Sequence, residues 1–163
     1  MVVSQPQFPC VRVKFPEALT DSRSVVMRWI DVREDASWVL VCGDSLASEV
    51  HGWVALTVMN RNHKRDKMKS NSRDAEFMRL ISGTHHVSAS FKRAGLINGD
   101  TEGWIIHLDG DMNSDFDSHV DKMGFTKIEV RPSIELFSAE RMGIENGSSE
   151  DVAIGHIHLA DLR

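Results

Sequence analysis

Six of the nineteen lysine and arginine residues, Arg61, Lys64, Arg65, Lys67, Lys69 and Arg73, fall within fourteen consecutive positions. Cations at that density suit phosphate, because neutralising backbone charge supplies much of the affinity for nucleic acid. The whole chain carries a net charge of -5, which argues the other way, so the local cluster carries more information than the total. Arg61, Lys64 and Arg65 also have a structural reason to be basic. They close a helical stretch, where cations favour the macrodipole by a few tenths of a kcal/mol. Lys67, Lys69 and Arg73 lie too far along for that reason to apply.

Catalytic chemistry has fewer supports. None of the eleven glycines forms GxGxxG or GxxxxGK[ST], the backbone cradles that hold nucleotide phosphates, and no GxSxG elbow is present. The run from Asp109 through Asp111, Asn113, Asp115 and Asp117 repeats oxygen side chains at every second position, as a calcium loop does. It departs from that loop where Ser114 replaces the turn glycine and Val120 replaces the bidentate glutamate, so a solvated turn is the reading preferred. His156 and His158 would share a face on a strand, but on a helix they diverge by about 200°. His85 and His86 stand in the turn before a helix, where free backbone N–H groups favour anions. A metal-dependent hydrolase or lyase using His85, His86 and the acids from Asp109 to Asp117 is the alternative function. His51, His63, His107 and His119 add no ligand spacing, and no cofactor is expected.

The elements that must position these residues follow from apolar periodicity. Residues 10–15 alternate Val11, Val13 and Phe15 with Arg12 and Lys14, a half-buried strand. Val25, Trp29 and Val32, broadened by Val26 and Ile30, make residues 21–34 a core-facing helix. Residues 37–43 form a continuous apolar strand. Asp44 is the expected N-cap of a helix reaching about residue 62, with Leu46, Val50, Trp53 and Val54 on its inner face. A third strand is expected at 76–82, then a helix with Val87, Phe91 and Ala94 inward and Gly95 as its stop. Residues 103–108 form a fourth strand. Ser114 caps a short helix carrying Phe116, Val120 and Met123, and residues 127–130 form an edge strand. Residues 133–163 are expected to be helical in two or three pieces, the last starting at Ser148, Ser149, Glu150 and Asp151. The expectation is one α/β domain over residues 1–163, with a central mixed sheet of about four to five strands flanked by helices and a helical C-terminal third.

Composition agrees with a globular domain, at 41% hydrophobic and 26% charged residues. No apolar run approaches the roughly 18 residues a membrane span needs. Residues 1–9 have neither the basic start nor the apolar stretch of a secretory signal, so a cytoplasmic location is expected. Cys10 and Cys42 each sit in an expected strand and read as buried, reduced thiols. Trp53 and Trp104 read as core residues.

From Lys67 to Leu108 the chain resembles a known family, the kinase-binding subunit of the KEOPS complex. Lys67-Met68-Lys69, then Glu76-Phe77-Met78-Arg79-Leu80-Ile81-Ser82-Gly83, is similar to the family's basic segment and central strand. Val87-Ser88-Ala89-Ser90-Phe91-Lys92-Arg93-Ala94-Gly95-Leu96 is similar to its (I/V)-S-x-A-(L/F)-K-(K/R)-F-G-(I/L) helix. Asp100-Thr101 and the strand from Trp104 to Leu108 follow at the family's distance. The chain departs where Gly83-Thr84-His85-His86 replaces G-x-R-Q and where Ala94 replaces phenylalanine. The resemblance implies a non-catalytic subunit that binds and regulates the small atypical kinase/ATPase of a complex making threonylcarbamoyl-adenosine in tRNA. It also implies contact with the tRNA 3′ end. Lys64, Arg65, Lys67, Lys69, Arg73, His85, Lys92 and Arg93 are the contacts expected on this chain.

Overall fold

The computed structural model describes residues 6–145 and 147–162. Residues 1–5 of the segment read as lacking a signal, and Asn146 and Arg163 of the C-terminal helical stretch, lie outside the described residues. The strands are β1 (Cys10–Lys14), β2 (Trp38–Cys42), β3 (Glu102–His107) and β4 (Thr126–Ile128). The helices are α1 (Ser22–Val32), α2 (Glu49–Lys64), α3 (Arg73–Ile81), α4 (Val87–Arg93), α5 (Phe116–Met123) and α6 (Glu150–Leu162), with one 3-10 turn at Ile134–Leu136.

The sheet runs in the order β2-β3-β1-β4 and every neighbouring pair is antiparallel, so the expected mixed sheet is an antiparallel one of four strands. Its core strands are more deeply covered than alternation suggests. Arg12, read as a solvent-side residue of β1, is buried; its guanidinium lies 4.9 Å from the centre of the Trp104 ring and donates to Glu102 Oε1 (2.7 Å) and the Gly43 carbonyl (3.0 Å). Trp104 is fully buried, as read; Trp53 is half-buried, edge-on to Phe8 at 5.5 Å. Cys10 and Cys42 are free, buried thiols, each pushed up to about 12 chiefly by burial, which removes them as nucleophiles at neutral pH.

The expected third strand at 76–82 is instead the body of α3. Glu, Met, Arg and Leu are straight-chain helix formers, and Phe77, Met78, Leu80 and Ile81 repeat at helical as well as strand spacing. Glu76 and Arg79 settle the choice. Three residues apart, they share a helix face but would oppose each other across a strand. Both are fully buried and bonded to one another, Arg79 Nε to Glu76 Oε1 at 2.8 Å and Nη2 to Oε2 at 2.9 Å.

Helix faces also differ from the apolar reading. α2 is capped by Ser48, whose hydroxyl accepts from the His51 N–H at 3.0 Å, not by Asp44. Its buried side carries His51, Gly52, Ala55, Leu56, Met59 and Asn62, leaving Val50, Trp53 and Val54 half-buried. A Cβ on Gly52 would stand 2.6 Å from the Phe8 ring, so the missing side chain lets the helix reach the core. On α4, Ser90 and Ala94 face inward and Phe91 is 49% exposed. α5 buries Phe116, Val120 and Met123 as read, with Asp115 in place of Ser114 as its cap. α2, α3 and α6 pack on one another, whereas α1 packs against α5. Among the described residues, no helix is long and apolar enough to cross a membrane.

Candidate nucleic-acid interface

The basic cluster sits where α2 ends. Lys64 is the last helical residue, Arg65 the C-cap, and Asp66 adopts the left-handed conformation at φ 55°. The Asp66 N–H donates to the His63 carbonyl (3.2 Å) and the Lys67 N–H to the Asn62 carbonyl (2.8 Å), the paired bonds of a Schellman stop. Asp tolerates that conformation better than most non-glycine residues. The stop reverses the chain, so cations on both sides of it are displayed at one helix end. Beyond it, half-buried Met68 and buried Ser70 turn inward while Lys67 and Lys69 remain exposed.

The cluster then divides. Arg61 is held by Asp161 of α6, and Arg73, at the start of α3, makes a two-pronged ion pair with Asp109, one contact being 2.9 Å. Hydrogen bonds from Arg73 hold the Asp109 carboxyl below its usual range. Lys64, Arg65, Lys67 and Lys69 are all exposed, and among the described residues none has an acidic partner. Four cations without an ion-pair partner among the described residues, with Asp66 as the single acid between them, are thus concentrated around one helix C-terminus.

The other expected contacts are dispersed. Lys92 on α4 is exposed, but Arg93 turns inward, donating from Nη1 to the Ser82 carbonyl (2.8 Å) and the Met142 carbonyl (3.4 Å). A Cβ on Gly143 would lie 2.6 Å from that guanidinium, so the bare glycine at φ 74° leaves Arg93 its place. His85 and His86 are exposed with ring centres 4.0 Å apart, and Thr84 Oγ1 accepts from the His86 N–H at 3.1 Å.

The acids of the calcium-like run are used separately. Asp111 accepts from the Asn113 N–H (2.8 Å), Asp115 caps α5, and Asp117 pairs with Lys127 at 3.1 Å. Asp115 and Asp117 border a cleft of about 460 Å³ that also carries Lys127 and Arg131, whereas His85 and His86 do not line it. Among the described residues, no group of three or more His, Cys, Asp or Glu side chains is placed to hold a metal ion. His107 and His119 instead stack on Trp38, with ring centres 4.0 and 3.8 Å away.

No family model matches the chain, and no match is found among curated proteins.

Proposed function

We propose that this chain is a non-catalytic, cytoplasmic subunit of a KEOPS complex, binding and regulating its small atypical kinase/ATPase and contacting tRNA. The order of the motifs between Lys67 and Leu108 supports the family reading, and the motif that begins at Glu76 belongs to a helix, α3. The observation that carries the RNA contact is the set of four exposed cations, Lys64, Arg65, Lys67 and Lys69, that form no ion pair among the described residues. Arg73 and Arg93 serve the fold through the bonds described above, and Lys92 and His85 lie outside the set.

Four contacts to single-stranded phosphates give a log K against log salt slope of about −3, at ~0.7 per contact. Lys67→Glu combined with Lys69→Glu weakens tRNA binding about tenfold or more in a polarisation titration and flattens that slope, while far-UV circular dichroism stays unchanged. Removing the tRNA 3′ end lowers affinity for the wild-type protein. Equal binding by the double variant, or by trimmed and full-length tRNA, would remove the tRNA contact from this reading.

The kinase is expected to bind through apolar surface, so its one-to-one complex co-elutes in size-exclusion chromatography at micromolar concentration and survives moderate salt. The Lys67→Glu/Lys69→Glu protein retains the kinase. Separate elution of the two purified proteins would overturn the assignment to the complex.

A further inference from the structure

A small cavity of about 200 Å³ opens where the chain leaves β2 and enters β3, and no apolar side chain lines it. Gly43 and Asp44 follow β2, Asp100 and Thr101 precede β3, Glu102 begins it, and Arg12 of β1 and Arg141 add two guanidinium groups. Arg12 is the unusual member. Its side chain is 8% exposed, and a cation so deeply placed normally finds an acceptor for each of its nitrogens. Nε donates to Glu102 and Nη1 to the Gly43 carbonyl, but among the described residues Nη2 donates to nothing. That nitrogen is the part of Arg12 beside the cavity wall at Gly43, where an added Cβ would stand 2.9 Å from it.

The carboxylates divide in the same way. Both oxygens of Asp100 accept from Arg141 (2.7 and 3.0 Å), and Oδ2 also accepts from the Ile97 N–H (2.8 Å), so this acid is fully used. Asp44 offers Arg141 only Oδ2 (3.1 Å), and Glu102 offers Arg12 only Oε1. Oδ1 of the one and Oε2 of the other have no donor among the described residues. The cavity therefore presents one open cationic donor and two open carboxylate oxygens, and its two positive and three negative side chains leave a surplus of one negative charge. An anion alone would meet that surplus; an amine alone would leave Nη2 without an acceptor. A molecule with both ends answers both groups. The space is smaller than the roughly 300–1,000 Å³ of pockets that take drug-sized ligands, which restricts the ligand to a few heavy atoms. We propose that this cavity binds a small free α-amino acid, its carboxylate accepting from Arg12 Nη2 and its ammonium donating to Asp44 and Glu102.

So small a ligand is expected to bind in the micromolar to millimolar range. Titration of the isotope-labelled full chain with glycine or serine, up to about 20 mM, should give saturable NMR shifts centred on the amides of Gly43, Asp44, Gly99 and Thr101. Glycinamide lacks the carboxylate and N-acetylglycine lacks the ammonium, so each should bind about tenfold more weakly or worse. Asp44→Asn preserves shape and leaves Arg141 paired with Asp100, and it should lower glycine affinity about tenfold with an unchanged circular dichroism spectrum. Gly43→Ala sets a methyl group against Arg12 Nη2 and should abolish the shifts; where that variant fails to fold, Asp44→Asn decides alone. The absence of saturable shifts at these amides, glycinamide or N-acetylglycine binding as well as glycine, or undiminished binding by Asp44→Asn would overturn the proposal.

Discussion

Arg79→Ala should destabilise the protein by about 3–5 kcal/mol, a large fraction of the roughly 5–15 kcal/mol of a typical domain. The guanidinium is fully buried, and besides Glu76 it donates to the Ala160 carbonyl at 2.8 Å and the Thr84 carbonyl at 3.3 Å. Truncation strands the Glu76 carboxylate in the core and leaves both carbonyls short of a donor. It also unfastens α6, since Ala160 is part of that helix and neighbouring Asp161 accepts from Asn62 Nδ2 at 3.0 Å on α2. Burial opposes ionisation of Glu76. The hydrogen bonds and charge of Arg79, with the amide of Asn62, outweigh it and hold the carboxyl below its usual range. Its stabilising contribution is therefore complete above the unfolded value of about 4.5 and is lost only as pH falls through the lower folded value. Replacing both partners together, Glu76→Met with Arg79→Met, should recover more than half of the loss, because no lone charge remains buried. The urea midpoint measures all three chains. A double variant no more stable than Arg79→Ala would show that the network contributes through its other bonds rather than through charge pairing.

Lowering the pH from 7 to 5 should cost about 2 kcal/mol of stability through His51 alone. This residue is fully buried, and its pKa is lowered from 6.5 to about 3 by burial first and by the nearby His156 second. Its Nδ1 accepts the Ala47 N–H at 3.0 Å, which fixes the neutral tautomer with hydrogen on Nε2. Between about pH 3 and 6.5 the unfolded chain binds a proton that the folded chain refuses, so stability rises with pH across that window. Protonation would place hydrogen on Nδ1 and break the Ala47 bond. His51→Asn offers a carboxamide oxygen near the same position and does not titrate. The variant should lose about 2 kcal/mol less than the wild type between pH 7 and 5 in parallel urea titrations. Equal losses in the two proteins would place the acid sensitivity elsewhere.

His51 also illustrates what the sequence conceals. The apolar pattern of α2 pointed to Val50, Trp53 and Val54 as its inner face, while the structure buries His51, Gly52 and Asn62 there. A histidine whose Nδ1 accepts a backbone N–H, a glycine against Phe8, and an asparagine that donates to Asp161 and Glu76 are core residues without apolar side chains. Periodicity scores them on the wrong side. The same limit misplaced the segment 76–82, because four apolar residues in seven fit either period and only the Glu76–Arg79 pairing distinguishes them.

β1, β2 and β3, the α5 face and the last helix were legible in the residue order, because local hydrophobic period and caps act within a few residues of one another. The density of cations after Asn60 was legible for the same reason. Tertiary structure alone decided which of those cations remain available. Arg61 and Arg73 find Asp161 and Asp109, and Arg93 finds the Ser82 carbonyl. Lys64, Arg65, Lys67 and Lys69 find no acid among the described residues. Planar guanidinium groups satisfy several fixed acceptors at once, which suits Arg61, Arg73 and Arg93 to the fold's joints, whereas the strongly hydrated ammonium of lysine loses more by leaving water; Arg65, exposed at the C-cap of α2, is the exception. Sequence thus marks where positive charge is dense; only the fold, by placing carboxylates and carbonyls that are distant along the chain, determines how much of it is left to meet a partner.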